Sequence, residues 1–254
     1  MKTINYGGRD LQIGSIAEEN AKVVSHMEAL AYYKSSSVED VDTEWYRRFN
    51  SQPAEMDNFR NLSKDKKTFL DIGSQFGSFS YFFLGDSKDK TAYAFDGGLN
   101  PYLITTQIKF INKLDNLHTF NFLIGNKNEI VKCHSEELQS LALQGSDSRL
   151  MLSIDMICQL YNIQPDTLKI DIEGSEYQAL VGGYDTIMEY RPIIFAEIHP
   201  QFLKMYGSSI EDIANYVKQI DYKVLDLNQV EVEDYLGTLA KELTDSNRSI
   251  WVPN

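Results

Sequence analysis

The chain has 254 residues, a formal net charge of −13 and 43% hydrophobic content, which is enough for one α/β core and ordinary for a globular protein. So acidic a balance speaks against a nucleic-acid partner, because phosphate contacts need a basic face. No apolar run approaches the ~20 residues that span a bilayer. The opening MKTINYGGRD lacks the apolar stretch of a secretory signal, and Cys133 and Cys158 show no metal or redox spacing, so a cytoplasmic protein with reduced thiols and no membrane partner is expected.

Residues 4–13, INYGGRDLQI, predict a small hairpin around Gly7-Gly8. Ser15 and Glu18 form a capping box, and Ile16, Val23, Val24, Met27, Leu30 and Ala31 continue it as a helical stripe. Glu44 to Phe49 is expected to be helical, with Trp45, Tyr46 and Phe49 docking that helix rather than closing over a ligand. Pro53 and the polar run Asn58 to Asp65 are expected to be loop. Residues 1–62 are thus expected to form a helical and hairpin cap or a homo-oligomerisation segment, ahead of a domain over 63–254.

From Thr68 the pattern alternates strand and helix, the mark of a parallel sheet covered on both faces. The run TFLDIGSQFGSFSYFF (68–83) reads as a buried strand, a glycine turn and a helix. Gly73 and Gly77 are spaced G-x-x-x-G, without the third glycine of the dinucleotide fingerprint. The second core strand, Thr91 to Phe95, closes on Asp96, with Asn100 as N-cap and Pro101 as first residue of a helix through Lys113. The third is His118 to Ile124. Between Asn126 and Pro165 the pattern loosens, leaving an edge strand (Ile130 to His134), a short helix (Glu136 to Leu143) and an apolar run (Arg149 to Ile154). The fourth strand is Thr167 to Ile172, followed by a helix to Leu180 that Gly182-Gly183 stops. The fifth is Ile193 to Ile198. A capping box at Ser208 and Glu211 opens a helix lined by Ile210, Ile213, Ala214, Val217 and Ile220, and Tyr222 to Leu227 and Ser249 to Val252 are the last two strands.

Acidic residues end the first, second, fourth and fifth strands, where open α/β sheets carry their ligand crevice. Asp71, Asp96, Asp171, Glu173, Glu197 and His199 should therefore meet on one rim. Asp96 lies 96 − 77 = 19 residues past the second glycine, where a carboxylate can accept both ribose hydroxyls of an adenosine. Asp71 would repel a pyrophosphate and suit a sulfonium, which favours S-adenosylmethionine over NAD. Lys169, Asp171 and Glu173 share one side of their strand. They read either as a Lys169–Asp171 ion pair with Glu173 and Glu176 at a helix N-terminus, or as groups reaching cofactor and acceptor. Glu197 and His199 read either as a general base, His199, with its neighbour, or as Glu197 tied to a backbone amide and His199 capping the turn before Pro200. Strand-end carboxylates have the oxygen chemistry to hold a divalent ion, but no ligand spacing marks one. His26, His118 and His134 are expected to be surface or packing residues.

FLDIGSQFGSFS, AFDGGLNP, LKIDIEGSEYQALVGG and RPIIFAEIHP, in that order, resemble the FkbM-type S-adenosylmethionine-dependent methyltransferases over about Thr68 to His199. The resemblance implies a class I methyltransferase (Rossmann-like) fold, seven strands mostly parallel with an antiparallel last strand. It also implies methyl transfer, usually to oxygen of a small molecule, sugar or polyketide. Carried over, Asp71, Gly73, Ser74, Gln75, Phe76 and Gly77 form the cofactor loop and Asp96 the ribose contact. Asp171, Glu173 and Gly174, with Glu197 and His199, form the catalytic blocks of the fourth and fifth strands. This chain has Asp96-Gly97 where the family usually has Glu-Pro, and Ser74-Gln75 where Ala-Asn is common. Two other readings compete: an NAD-linked oxidoreductase on the same sheet plan, and a cofactor-fold module without catalysis.

Overall fold

The computed structural model describes residues 2–6, 9–13, 53–133, 147–241, 243 and 246–254. The Ser15–Glu18 box, the stripe after it, Trp45, Tyr46, Phe49, His26, His134 and the helix expected at Glu136 to Leu143 lie outside them. Lys2–Tyr6 (β1) and Arg9–Ile13 (β2) pair antiparallel, as the Gly7-Gly8 pattern predicts.

Seven strands make the main sheet. In chain order they are β3 (Thr68–Ile72), β4 (Thr91–Phe95), β5 (Leu117–Phe120), β9 (Thr167–Ile170), β10 (Ile193–Ile198), β11 (Tyr222–Leu225) and β12 (Asn247–Pro253). Their spatial order is β11-β12-β10-β9-β3-β4-β5. β12 inserts antiparallel between β10 and β11, and β10, β9, β3, β4 and β5 are mutually parallel. This is the class I methyltransferase arrangement with its antiparallel last strand.

Because side chains alternate across a strand, the central strands feed two cores. Leu70, Ile72, Leu168, Ile170, Ile194, Ala196 and Ile198 face one side. Packed there are α4 (Ile154–Tyr161), α5 (Glu176–Val181), α6 (Tyr184–Tyr190), α8 (Ile210–Gln219) and α9 (Tyr235–Lys241). Phe69, Ala92, Ala94, Phe195 and Ile250 face the other, against α1 (Pro53–Ser63), α2 (Ser78–Leu84) and α3 (Leu99–Ile111). Between β10 and α8 the chain makes one short helical turn, α7 (Pro200–Leu203). No helix among the described residues is long and apolar enough to cross a membrane.

Several expectations need correction. Residues 53–63 are α1 and not loop: Pro53 takes its first position, where a missing N–H costs nothing, and Met56 and Phe59 bury one stripe. The third strand stops at Phe120, and Leu123–Ile124 (β6) leaves it to pair with Asp147–Leu152 (β8) and so with Glu129–Cys133 (β7) in a separate three-stranded sheet. The strand expected at Ile130 thus edges that small sheet. α3 begins at Leu99 with Gly98 as its N-cap, so Asn100 lies inside it. The capping box of α8 is Ser209 with Asp212, one residue along from the expected pair. Beyond Gly182-Gly183 a further helix, α6, follows, and the fourth strand ends at Ile170, which leaves Asp171 and Glu173 in a turn.

Phe59 is fully buried, with ring centroids of Phe69, Phe79 and Phe195 at 5.1, 5.0 and 5.0 Å in edge-on contact. Phe59→Ala is expected to destabilise the fold by ~3–5 kcal/mol, read as a lowered urea midpoint with an unchanged slope.

Candidate active site

The first turn is shaped by two glycines. Gly73 has φ 78°, a conformation that side chains resist, and a methyl group there would run into the carbonyl oxygen of Asp171. The turn therefore lies directly on the mouth of β9. Gly73 and Ser74 both donate their N–H to the Phe95 carbonyl at 2.9 and 3.0 Å, which ties the turn to the end of β4 as well.

Asp96, one residue beyond β4, receives amide donors from both sides. Gln75 N–H reaches its Oδ2 at 2.8 Å and Gly98 N–H its Oδ1 at 2.7 Å. Burial nevertheless raises its pKa from 3.8 to about 7, since the two amides and the nearby Asp71 and Asp171 include no positive charge. Above the turn opens a cleft of about 480 Å³. Of the expected site residues Gly73, Gln75, Phe76 and Asp96 line it from the first two strands, and Asp171, Glu173 and Glu197 from β9 and β10.

Asp71, Ser74, Gly77 and His199 are not in its wall. Asp71 is fully buried in β3, where its Oδ2 accepts from Ser80 Oγ of α2 at 2.7 Å. Its carboxylate is thus engaged with α2 and not at the rim, contrary to the expectation that it repels a pyrophosphate there. Gly77 caps α2 in the left-handed conformation, packed against Tyr81 and Thr105.

Charge under the rim is paired. Lys169 Nζ meets Asp171 Oδ2 at 3.0 Å and lies 5.1 Å from the centre of the Phe79 ring, so the ion-pair reading of that strand holds. Glu197 Oε1 accepts from Arg248 and from Ser246 Oγ at 2.8 Å. Arg248 is also 3.7 Å from Glu55 of α1.

His199, 5% exposed, is bracketed by carboxylates. Its Nδ1 is 2.9 Å from Glu176 Oε1, and its Nε2 is 3.5 Å from Glu173 Oε2, 3.9 Å from Glu197 Oε1 and 4.0 Å from Asp171 Oδ1. Burial alone would push the ring's pKa down. The Glu176 hydrogen bond and the charges of Glu176, Glu173 and Asp171 outweigh it and raise the value to about 9, so the ring is an imidazolium at neutral pH. Glu173 moves up from the ordinary carboxyl range because burial outweighs the His199 charge. Asp171, Glu173 and His199 bring ligand atoms within 4.8 Å of one another, the spacing of a cation site. Lys169 already neutralises Asp171, and the imidazolium faces both acids, so the cluster reads as an ion-pair network.

Four neighbours of this site were not signalled as site residues by the sequence. Gln178 and Tyr206 line the far end of the cleft and are joined by a hydrogen bond from the Gln178 amide to the Tyr206 carbonyl. Arg248 lies 51 residues past Glu197, a separation that carries no local pattern. Glu176 shows in the sequence only as an acid at a helix N-terminus.

Residues 150–224 match the family model described as the Methyltransferase FkbM domain. Over that segment, less than a third of its length, the chain is similar to the FkbM methyltransferases. Among solved structures it is similar to the methyltransferase FkbM from Methylobacillus flagellatus KT, with 19% identity, a TM-score of 0.50 and 74% of this chain covered. The match spans 44% of the length of that protein. An O-methyltransferase from Bacillus cereus, solved with S-adenosylhomocysteine, aligns at 12% identity over 96% of this chain and 92% of its own, with a TM-score of 0.47. A search of the curated proteins gives no match. The matched segment takes in β9, β10 and the helices between them.

A carboxyl whose folded pKa lies above its unfolded value contributes most stability at low pH and loses it as pH rises through the folded value. For Asp96 the window runs from 3.8 to about 7, with a slope of ~1.4 kcal/mol for each pH unit inside it. Asp96→Asn is expected to flatten the fall in stability between those values, measured by urea unfolding across that pH range.

Proposed function

We propose that this FkbM-like protein is an S-adenosylmethionine-dependent O-methyltransferase that acts on a hydroxyl of a small molecule or sugar. The observation that carries the reading is the cleft at the carboxyl ends of β3, β4 and β9, where the glycine turn, Asp96 and Glu173 face one space. Its size of about 480 Å³ falls in the range of small-molecule sites. When bound, S-adenosylmethionine supplies a methyl group activated on a sulfonium.

The cofactor fits the residues present. Gly73 lets the turn lie flat on the β9 mouth, so Gln75 and Phe76 form one wall. Each Asp96 oxygen accepts one amide hydrogen and keeps a lone pair for a ribose hydroxyl. Gly73 and Gly77 come without the third glycine that brings a pyrophosphate onto the helix in dinucleotide folds, which weighs against a nicotinamide dinucleotide.

Of the two candidate bases, Glu173 lines the cleft and His199 does not. His199 also already carries its proton at neutral pH, so it is a poor acceptor. Glu173 therefore takes the proton of the acceptor hydroxyl, and its raised pKa makes it a stronger base than an ordinary carboxylate. Asp171 and Glu197, held by Lys169 and Arg248, set the shape and charge of the wall. The buried free thiol of Cys158 fits a reducing cytoplasmic setting.

Titration calorimetry with S-adenosylhomocysteine is expected to give a binding isotherm where NADH gives none; binding of NADH alone would reverse the assignment. Glu173→Gln is expected to lower labelled-methyl transfer to a panel of methyl glycosides and phenols by ~10²–10⁴-fold while leaving S-adenosylhomocysteine affinity unchanged.

A further inference from the structure

We propose that Glu176 and His199 form a positioning pair that holds Glu173 over the cleft in the orientation proton removal needs. The inference rests on the methyltransferase reading above and adds two residues to it that do not line the cleft.

The geometry is a relay. Glu176, the first residue of α5, is fully buried, and its Oε1 accepts from Gly174 N–H at 2.8 Å and meets His199 Nδ1 at 2.9 Å. The opposite ring nitrogen is 3.5 Å from Glu173 Oε2. Contact therefore runs from a buried carboxylate through the ring to the one member, Glu173, whose side chain is 54% exposed.

The same carboxylate also holds the turn that carries Glu173. Glu173 has φ 53° and Gly174 φ 106°, and a left-handed non-glycine residue persists only where its surroundings hold it there. Glu176 fixes it by binding the Gly174 N–H, and Phe202 of α7 packs where a Gly174 side chain would stand. Phe202 also lies parallel to the His199 ring at 6.2 Å between centroids.

Stability alone is a poor account of this pair. A buried carboxylate with a charged imidazole is often no better than apolar packing, and Glu176 Oε2 is buried without a hydrogen-bond partner. What the pair does supply is an imidazolium hydrogen-bonded to Glu176 at Nδ1, with its Nε2 facing Glu173 at 3.5 Å. The charged groups facing that ring are Glu176 from α5, Asp171 and Glu173 from the turn after β9, and Glu197 from β10, with Arg248 of β12 behind Glu197.

The test uses the full chain labelled at histidine carbons, with the His199 signal assigned by its loss in H199Q. In the wild-type protein the His199 ring is expected to stay protonated through neutral pH; a ring neutral at pH 7 overturns the pair without any further variant. E176Q keeps the size of the side chain and removes its charge. It is expected to move the His199 titration below neutrality and to lower labelled-methyl transfer by ~10²-fold, as misplacement of a reacting group does, with S-adenosylhomocysteine affinity unchanged. Wild-type titration and transfer in E176Q would overturn the proposal. Absence of heat with S-adenosylhomocysteine in the wild-type protein would instead sink the methyltransferase reading and leave the titration to judge the pair.

Discussion

A carboxylate taken out of water must find a partner or surrender its charge, and the upper rim of this sheet is organised by that requirement. Five acids are buried or nearly so at adjoining strand ends, and four are matched to specific donors. Asp71 takes Ser80, Asp171 takes Lys169, Glu197 takes Arg248 and Ser246, and Glu176 takes His199 and the Gly174 amide. Asp96 has only amide donors, and its pKa rises to about 7. Glu173, over half exposed, shares one imidazolium with three other acids and is also raised. These two raised carboxyls both line the cleft. Perturbed acids in a cavity mark function more often than structure, whereas acids with a tight cationic partner mostly shape the wall around them.

The fold plan supplies those partners from outside the parallel core. Inserting β12 antiparallel between β10 and β11 places Arg248 directly opposite Glu197 in register. α1, the first helix among the described residues, brings Glu55 to the same guanidinium. Lys169 stands opposite Asp71 across the β3–β9 pairing and beside Phe195 across the β9–β10 pairing, so one lysine sits in the middle of the charged row. The parallel strands alone would deliver acids to the rim with too few cations to match them.

Much of this was legible in the sequence, and the failures have physical causes. The strand–glycine–helix pattern at Thr68 to Phe83 and the nearly unbroken apolar runs of the central strands fixed the sheet, because doubly covered strands leave little room for other residues. Helix α1 was hidden by its composition: Asp57, Arg60 and Asn61 give it the polarity of a loop, and the Met56–Phe59 stripe is only one turn apart. The shifted capping box had two equivalent solutions, since Ser208 with Glu211 and Ser209 with Asp212 have the same spacing, and only the path into α8 selects between them. Long-range partners such as Glu197 and Arg248 leave no periodic trace at all. Asp71 was misplaced for a subtler reason: strand alternation says which face a side chain takes, but not whether a helix covers that face. Here α2 covers it, and Ser80 takes the carboxylate.

The division of labour between His199 and Glu173 follows from the same accounting. A histidine at a strand end suggests a base from its ordinary pKa, but that value belongs to a ring in water. With Glu176 at one nitrogen and three more carboxylate oxygens within 4.0 Å of the other, releasing the proton would leave four acids without their shared cation. The ring therefore keeps its proton, and in the proposed reaction the acid at the cleft surface, Glu173, is the group left to accept one. Burial raises Glu173 above the ordinary carboxyl range and the imidazolium opposes that rise, so the acid binds a proton more readily than a solvated carboxylate. Under the proposed roles, a base tuned in this way depends on the distance from Glu173 to His199, and the proposed pair sets that distance through Glu176, a carboxylate with no contact to solvent.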